Sequence, residues 1–323
     1  MTETFFDLLV PWAGASDPGA RAALNGVALA HLQALLHQLI ATPPVQGDAL
    51  SRALPHEHQL AHLLGLPKGD GLTPWAAQAA WEAAPQAERP AIAQAAWAWI
   101  TPCHFRIGAD QVQLDHASAL RLDEADSRAL LAILQAFFVQ DGITLHYQEP
   151  TRWLAQGELF RDLPSASLDR VVGRNVQPWL QSGAPPERVL RRLQSETQML
   201  LYTHAFNDER SAQGLPVVNG FWVHGSGALP AHWLPPAQPP KVNECLRASA
   251  LQSHWPHWAE AWQALDAGPL AALLAQARAG TPVRLTLCGE ENHQSWHSGP
   301  RSLRQRIQSL LRPQRPQDLL YTL

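Results

Sequence analysis

The chain reads as an α/β protein whose N- and C-terminal segments form one parallel-rich core and whose middle is an inserted α+β lobe. Three observations predict this. The apolar run Phe5–Val10 is followed by leucines at helical spacing, so the chain opens as strand then helix. From Trp97 to Leu215 the pattern turns to short β-prone runs and a hairpin signature around a helix. After a proline-rich connector it returns to helix, strand and helix. The expected boundaries are 1–96 and 216–323 for the core, with helices on both faces of its sheet, and 97–215 for the lobe.

Phe5–Val10 is a buried strand ended by Pro11, and Gly14, Asp17, Pro18 and Gly19 make the next loop. Leucines at 29, 32, 35, 36 and 39 place an amphipathic helix over Leu24–Ile40, stopped before Pro43. Leu54–Leu66 and Thr73–Ala84 are two further helices, separated by Gly65, Gly69 and Gly71. Trp97–Ile107 and Val112–Leu114 are strand-like, Asp123–Phe138 is helical, and Ile143–Tyr147 with Arg152–Ala155 alternates as a hairpin. A long helix spans Pro186 to Asn207, and Gly214 and Pro216 stop it. Val217, Val218, Phe221 and Trp222 are β-prone, and Gly225-Ser226-Gly227 reads as a sharp turn. Pro230, Pro235, Pro236, Pro239 and Pro240 stiffen a connector. Helices at Trp255–Leu265 and Pro269–Ala279, a strand at Val283–Cys288 and a last helix at Ser302–Leu311 complete the chain.

Composition narrows the function. The 323 residues are 46% hydrophobic and 16% charged, which is enough apolar material for a sizeable core. No apolar run approaches bilayer length and no basic, signal-like leader opens the chain, so a soluble, cytoplasmic protein without a membrane partner is expected. A net charge of −4 gives no footprint for nucleic acid, and Arg301, Arg304, Arg306, Arg312 and Arg315 read as a solvated helix face and tail. Cys103, Cys245 and Cys288 are far apart and odd in number, so they read as buried thiols rather than a disulfide framework or zinc knuckle. His56, Glu57, His58 and His62 share one helix without the H-E-x-x-H order, and read as its polar surface. Gly225-Ser226-Gly227 lacks the glycine two residues before the serine that a nucleophile elbow needs, since His224 stands there.

The most informative stretch is His204–Pro230, where a helix end, an aromatic strand and paired glycines come together. Asn207, Arg210 and Asn219 are expected to converge near Gly225–Gly227, with Arg170 and Arg174 as further contacts for an anionic ligand. The same residues also suit structural bracing, because asparagine beside a turn and arginine at a helix end commonly satisfy backbone groups. Both roles stay open at this point.

The order His204, Asn207, Arg210, Gly214, Asn219, Trp222, Gly225, Gly227 resembles the H-P-x-N-x-x-R-x-x-x-G-x-x-x-N-x-x-W-x-x-G-x-G run of archaeal-type, cofactor-independent phosphoglycerate mutases in the alkaline phosphatase superfamily, with Ala205 in place of the proline and four residues rather than three between Gly214 and Asn219. HFRIGADQVQLD (His104–Asp115) is similar to their A-F-R-C-N segment, and GRNVQP (Gly173–Pro178) comes after it in the expected order. A closer resemblance is to the RpfE-type regulatory proteins of bacteria, through LPHEHQLAHLLGL (Leu54–Leu66), SLDRVVGRNVQPWL (Ser167–Leu180), QMLLYTH (Gln198–His204) and LTLCGE (Leu285–Glu290).

The resemblance implies an alkaline-phosphatase-like core sheet and, in the enzymes, two divalent metals on Asp and His ligands beside a Ser or Thr nucleophile. This sequence departs from that set. The first strand ends Val10-Pro11-Trp12 where an aspartate is expected, Trp255–Ala279 lacks a D-x-x-x-H-x-x-D spacing, and the last strand runs into Cys288-Gly289-Glu290-Glu291-Asn292. The expectation is therefore a non-catalytic, phosphoglycerate-mutase-like binding or regulatory protein, with no catalytic residue, cofactor or metal, acting on a small anionic ligand or a protein partner. The alternative is a working metal-dependent mutase or phosphatase on relocated ligands, Asp17, Glu290, Glu291 and His293.

Overall fold

The computed structural model describes residues 5–180, 184–300 and 315–323. The helix expected at Ser302–Leu311 lies outside them, as do Arg301, Arg304, Arg306 and Arg312. The chain divides into two compact units: Met1–Ala49, Leu54–Leu64 and Pro235–Leu323 make the first, Leu50–Ala53 and Gly65–Leu234 the second.

The first unit is a mixed sheet flanked by helices. Its strands are β1 (Phe6–Val10), β2 (Ile40–Ala41), β9 (Lys241–Val242), β10 (Val283–Cys288) and β11 (His293–His297), in the order β2-β11-β10-β1-β9. As expected for one core built from the two ends of the chain, β1 and β10 lie in the same sheet, here as direct parallel neighbours with Leu8 opposite Leu285. β9 is also parallel to β1, but β10–β11 and β11–β2 are antiparallel. The sheet is thus mixed rather than parallel-rich. The reason is the connection Gly289–Asn292, closed by a 2.8 Å bond from the Gly289 N–H to the Asn292 carbonyl, which is too short for a crossover.

Period-two alternation places Leu8, Val10, Leu285 and Leu287 in one apolar cluster with Leu24 of α1 (Pro18–Leu24), Leu32 and Leu35 of α2 (Ala30–Gln38), Trp258 and Trp262 of α11 (Trp255–Leu265) and Leu273 of α12 (Ala271–Arg278). Leu319 and Leu320 of α13 (Pro316–Leu320) join it, and α3 (Pro55–Leu64) packs against β1. The short α10 (Arg247–Leu251) contacts α11. The single helix expected over Leu24–Ile40 is broken at Asn25-Gly26, where Gly26 has φ +91°.

The α2 N-terminus has no side-chain cap of its own. Instead Asp266, buried on a π-helical turn (Asp266–Leu270) between α11 and α12, accepts from the N–H groups of His31 (3.1 Å) and Leu32 (2.8 Å), and also bonds His31 Nδ1 at 3.0 Å.

The second unit is built on an antiparallel sheet, β6-β7-β3-β8, from β3 (Ala96–Cys103), β6 (Thr144–Glu149), β7 (Arg152–Gln156) and β8 (Gly220–Ala228). A separate hairpin joins β4 (Phe105–Ile107) to β5 (Val112–Leu114). The core is filled by Leu130, Leu134 and Phe138 of α6 (Glu124–Phe138), Leu193 and Leu201 of α8 (Pro185–Tyr202), and Ile100, Trp153 and Phe221 of the sheet. The shorter helices are α4 (Trp75–Ala83), α5 (Arg89–Gln94), α7 (Leu168–Val171) and α9 (Ala205–Ala212). This unit reaches beyond 97–215 on both sides, because β8 pairs with β3 from Gly220 to Ala228 and α4 packs on β8.

Gly225-Ser226-Gly227 is not a turn. These residues lie inside β8, where Trp97 pairs with Gly227 and Trp99 with His224, so Ala98 alone faces Gly225 and Ser226. That two-against-one count is a β-bulge with a left-handed glycine, Gly225 at φ +62°. A Cβ there would meet the Trp99 ring at 2.8 Å and Trp75 Cβ at 3.1 Å.

Candidate functional site

The polar frame begins where α8 ends. His204 is the N-cap of α9, its Nδ1 accepting from the Phe206 N–H at 3.1 Å, so the expected single helix divides there. Asn207, buried, donates Nδ2 to the carbonyls of Leu201 and Val218, both at 2.8 Å, and accepts at Oδ1 from the Val218 N–H at 3.0 Å. Arg210 is only 2% exposed; its Nε donates to the Pro216 carbonyl (3.0 Å), Nη1 to Asp126 (2.8 Å), and Nη2 to the Leu120 carbonyl. Asn219 accepts from the Phe105 N–H (2.7 Å) and donates to the Phe105 carbonyl (2.8 Å), as a neighbouring strand residue would.

These bonds tie α8, α9, α6 and β4 to the start of β8, and they do not converge on the glycines. Asn219 precedes β8, whereas Gly225–Gly227 lies near its far end, on the order of 20 Å along the strand. Arg170 is also turned inward, donating Nη2 to Ser51 Oγ (3.2 Å) and the Ala53 carbonyl (3.1 Å). Arg174 is half-buried, and its carbonyl accepts from the Leu114 N–H at 3.3 Å. Bracing is the work visible at Asn207, Arg210, Asn219 and Arg170.

Beside this frame is a cavity of about 390 Å³ between α8, α9 and the β4–β5 hairpin, lined by Leu201, Tyr202, Val217 and Ile107 as well as Asn207 and Asn219. Tyr202 is 86% exposed, Met199 73% and Ile107 65%. Sequence reasoning passed over all three. The signal for two of them was present: the buried stripe of α8 runs Leu193, Thr197, Leu201, so Met199 and Tyr202 fall off it.

In open α/β sheets ligands sit beyond the carboxyl ends of the parallel strands, which is where the two-metal centre implied by resemblance would be. The residues there do not fit it. Trp12, the residue two beyond β1, has φ +59°, is buried, and its carbonyl accepts the Trp258 indole N–H at 3.0 Å. Asp7 is inside β1, 3.4 Å from Arg284 Nη1, and burial pushes its carboxyl above the usual range while Arg284 opposes this. Asp17 caps α1, accepting from the Gly19 N–H at 2.6 Å and the Ala20 N–H at 3.4 Å.

At the end of β10, burial drives the Cys288 thiol far above its ordinary value, and a Cβ on Gly289 would lie 2.0 Å from the Leu323 carbonyl oxygen. Cys103 is likewise buried, but Cys245 is exposed, contrary to its expected burial. Asn292 donates Nδ2 to the Thr322 carbonyl at 3.0 Å, so the segment ending in Leu323 packs against this edge. Burial, and secondarily His58, holds the His293 imidazole below the usual histidine range. Among the described residues no group of three His, Cys, Asp or Glu side chains is placed to hold a metal ion.

No protein-family model matches this chain, and no curated protein does. Among solved structures it is similar to the PH0037 protein from Pyrococcus horikoshii at 10% identity and a TM-score of 0.44, covering 92% of this chain and 88% of that one. It is similar too to the cofactor-independent phosphoglycerate mutase from Thermoplasma acidophilum DSM 1728, at 13% identity and a TM-score of 0.34, covering 90% and 89% of the two chains.

Proposed function

We propose that this protein is a non-catalytic, phosphoglycerate-mutase-like protein that acts by binding, as a regulator, and transfers no phosphoryl group. One observation carries the reading: where the first strand should deliver a metal-binding aspartate, the chain has Val10-Pro11-Trp12, with Trp12 built into the core and bonded to Trp258. Phosphoryl transfer depends on neutralising charge that develops on the phosphoryl oxygens, and without the two metals little on this edge does so. Of the relocated ligands, Asp17 is occupied as a helix cap. A protein partner is favoured over a small anion, since Arg170 and Arg210 are buried and donate to internal acceptors.

The test is a coupled assay of 2-phosphoglycerate and 3-phosphoglycerate interconversion with added manganese, zinc or cobalt, run beside elemental analysis of the purified protein. The expected result is no turnover above background. Two bound divalent ions per chain, together with turnover lost in Glu290→Ala or His293→Ala, would establish the enzyme reading instead.

A further inference from the structure

We propose that the cavity between α8, α9 and the β4–β5 hairpin receives an extended peptide segment of a protein partner, which pairs with the outer edge of β4 at Ile107 and seats an apolar side chain beside Leu201, Tyr202 and Val217. The proposal rests on the binding reading above and names the partner class.

The hairpin's bonding sets the geometry. The Asp115 N–H donates to the His104 carbonyl at 3.1 Å and the Gly108 N–H to the Gln111 carbonyl at 2.8 Å, with Arg106 opposite Gln113 between them. Positions 104, 106 and 108 therefore bond across the hairpin, and the alternating residues Phe105 and Ile107 turn their N–H and C=O outward. At Phe105 the Asn219 carboxamide satisfies both groups. Ile107 offers the same outward pair one repeat further on, and among the described residues none takes it.

Asn219 and Ile107 both line the 390 Å³ cavity, so the edge that Asn219 begins continues along its wall. Natural edges are commonly blunted by lysine, proline or inward charge, whereas this position is a β-branched residue with 65% of its surface exposed. The opposite wall supplies Leu201 and the exposed Tyr202 ring, which together can take an aliphatic or aromatic anchor. Among the described residues Asp208 is the one carboxylate lining the space, so a lysine or arginine in the segment is favoured. Main-chain pairing for affinity and a side-chain pocket for selectivity is the physics of strand addition.

Selection of a phage-displayed random peptide library on the full chain, then fluorescence polarisation with the best synthetic peptide, tests this. Enriched peptides are expected to be β-prone, with an apolar anchor and a nearby basic residue. Ile107→Pro removes the outward N–H, while also fixing φ and trimming the side chain, and should weaken binding at least about tenfold, the worth of one well-made hydrogen bond. Ile107→Lys blunts the edge without constraining the backbone, and should weaken binding in the same way if the proline variant fails to fold. Tyr202→Ser should also weaken binding, and Asp208→Asn only for peptides carrying Lys or Arg. No enriched binder, or binding indifferent to both Ile107 and Tyr202 changes, overturns the proposal. So does a dimer that Ile107→Lys dissolves in sedimentation, since the edge would then belong to a second copy. Any of these failures, with phosphoglycerate turnover still absent, leaves the non-catalytic reading standing; turnover removes that reading whatever the peptides do.

Discussion

Arg210→Ala separates bracing from ligand contact. The wild-type guanidinium, 2% exposed, donates to the Pro216 carbonyl, Asp126 and the Leu120 carbonyl. Its truncation leaves two backbone acceptors facing an apolar gap, at about 1–2 kcal/mol each. The Asp126 side chain is 38% exposed, so water recovers part of what that ion pair contributed, and screening brings the loss there to about 1 kcal/mol. The sum is about 3–5 kcal/mol, within the range for breaking a buried pair by removing one partner. For a unit of this size roughly 2–4 °C accompanies each kcal/mol, so the melting temperature should fall by about 10 °C in calorimetry. Arg210→Lys keeps the charge but loses the planar fork, and should recover less than half of the deficit. A melting temperature for Arg210→Ala within about 2 °C of wild type would refute the reasoning.

Three further outcomes are expected. Asp266→Ala removes the acceptor for the His31 and Leu32 N–H groups at the start of α2, and should cost about 2–4 kcal/mol by urea denaturation; a midpoint unchanged in the variant would show that α2 is capped by other means. Gly225→Ala forces a Cβ to 2.8 Å from the Trp99 ring at φ +62°, and should cost about 2–4 kcal/mol, with a changed tryptophan fluorescence spectrum; a neutral variant would mean that the bulge relaxes freely. The half-buried His293 imidazole titrates below its unfolded value of about 6.5, so on acidification the unfolded chain takes up a proton before the folded one does. Stability should therefore fall as pH drops through that value toward the lower folded one. His293→Gln should make the plot of melting temperature against pH shallower there, and an unchanged slope would remove His293 from the account.

That β1 and β10 share one sheet, though not that they are direct neighbours, was legible because Phe5–Val10 and Val283–Cys288 are short β-prone runs, each beside helical spacing, at the two ends of the chain. The hairpin connection after Cys288 was less so: Glu290, Glu291 and His293 drew attention as donors, while the tight Gly289–Asn292 link and the paired strand beyond it passed unread. Gly225-Ser226-Gly227 has the composition of a turn. It became strand because β3 supplies partners for its backbone and because Pro74 and Trp75, some 150 residues earlier, press where side chains would stand. Local sequence cannot report that. The residue types of the polar frame were legible, and so was the aptness of Asn and Arg for bracing. Their bonding partners, Leu120 and Asp126 for Arg210 or Phe105 for Asn219, were set by long-range packing.

The π turn at Asp266–Leu270 bears on which length changes this chain can tolerate. The core-facing stripe steps by four and three residues from Trp258 to Trp262 to Leu265, and then by five to Leu270 before resuming at Leu273 and Leu274. An α-helix turns about 100° per residue, so the wide turn stores one supernumerary residue without rotating the helix beyond it. Deleting Ala267 alone would restore a plain helical turn, which demands that Pro269 fit an ordinary ladder, and it would keep the downstream face in phase. Deleting one residue within α12 would instead swing the remainder of that helix by about 100° and lift its leucines off the sheet. A single-residue deletion scan from Trp255 to Arg278 should accordingly find one island of tolerance, centred on the π turn, inside a segment otherwise closed to indels.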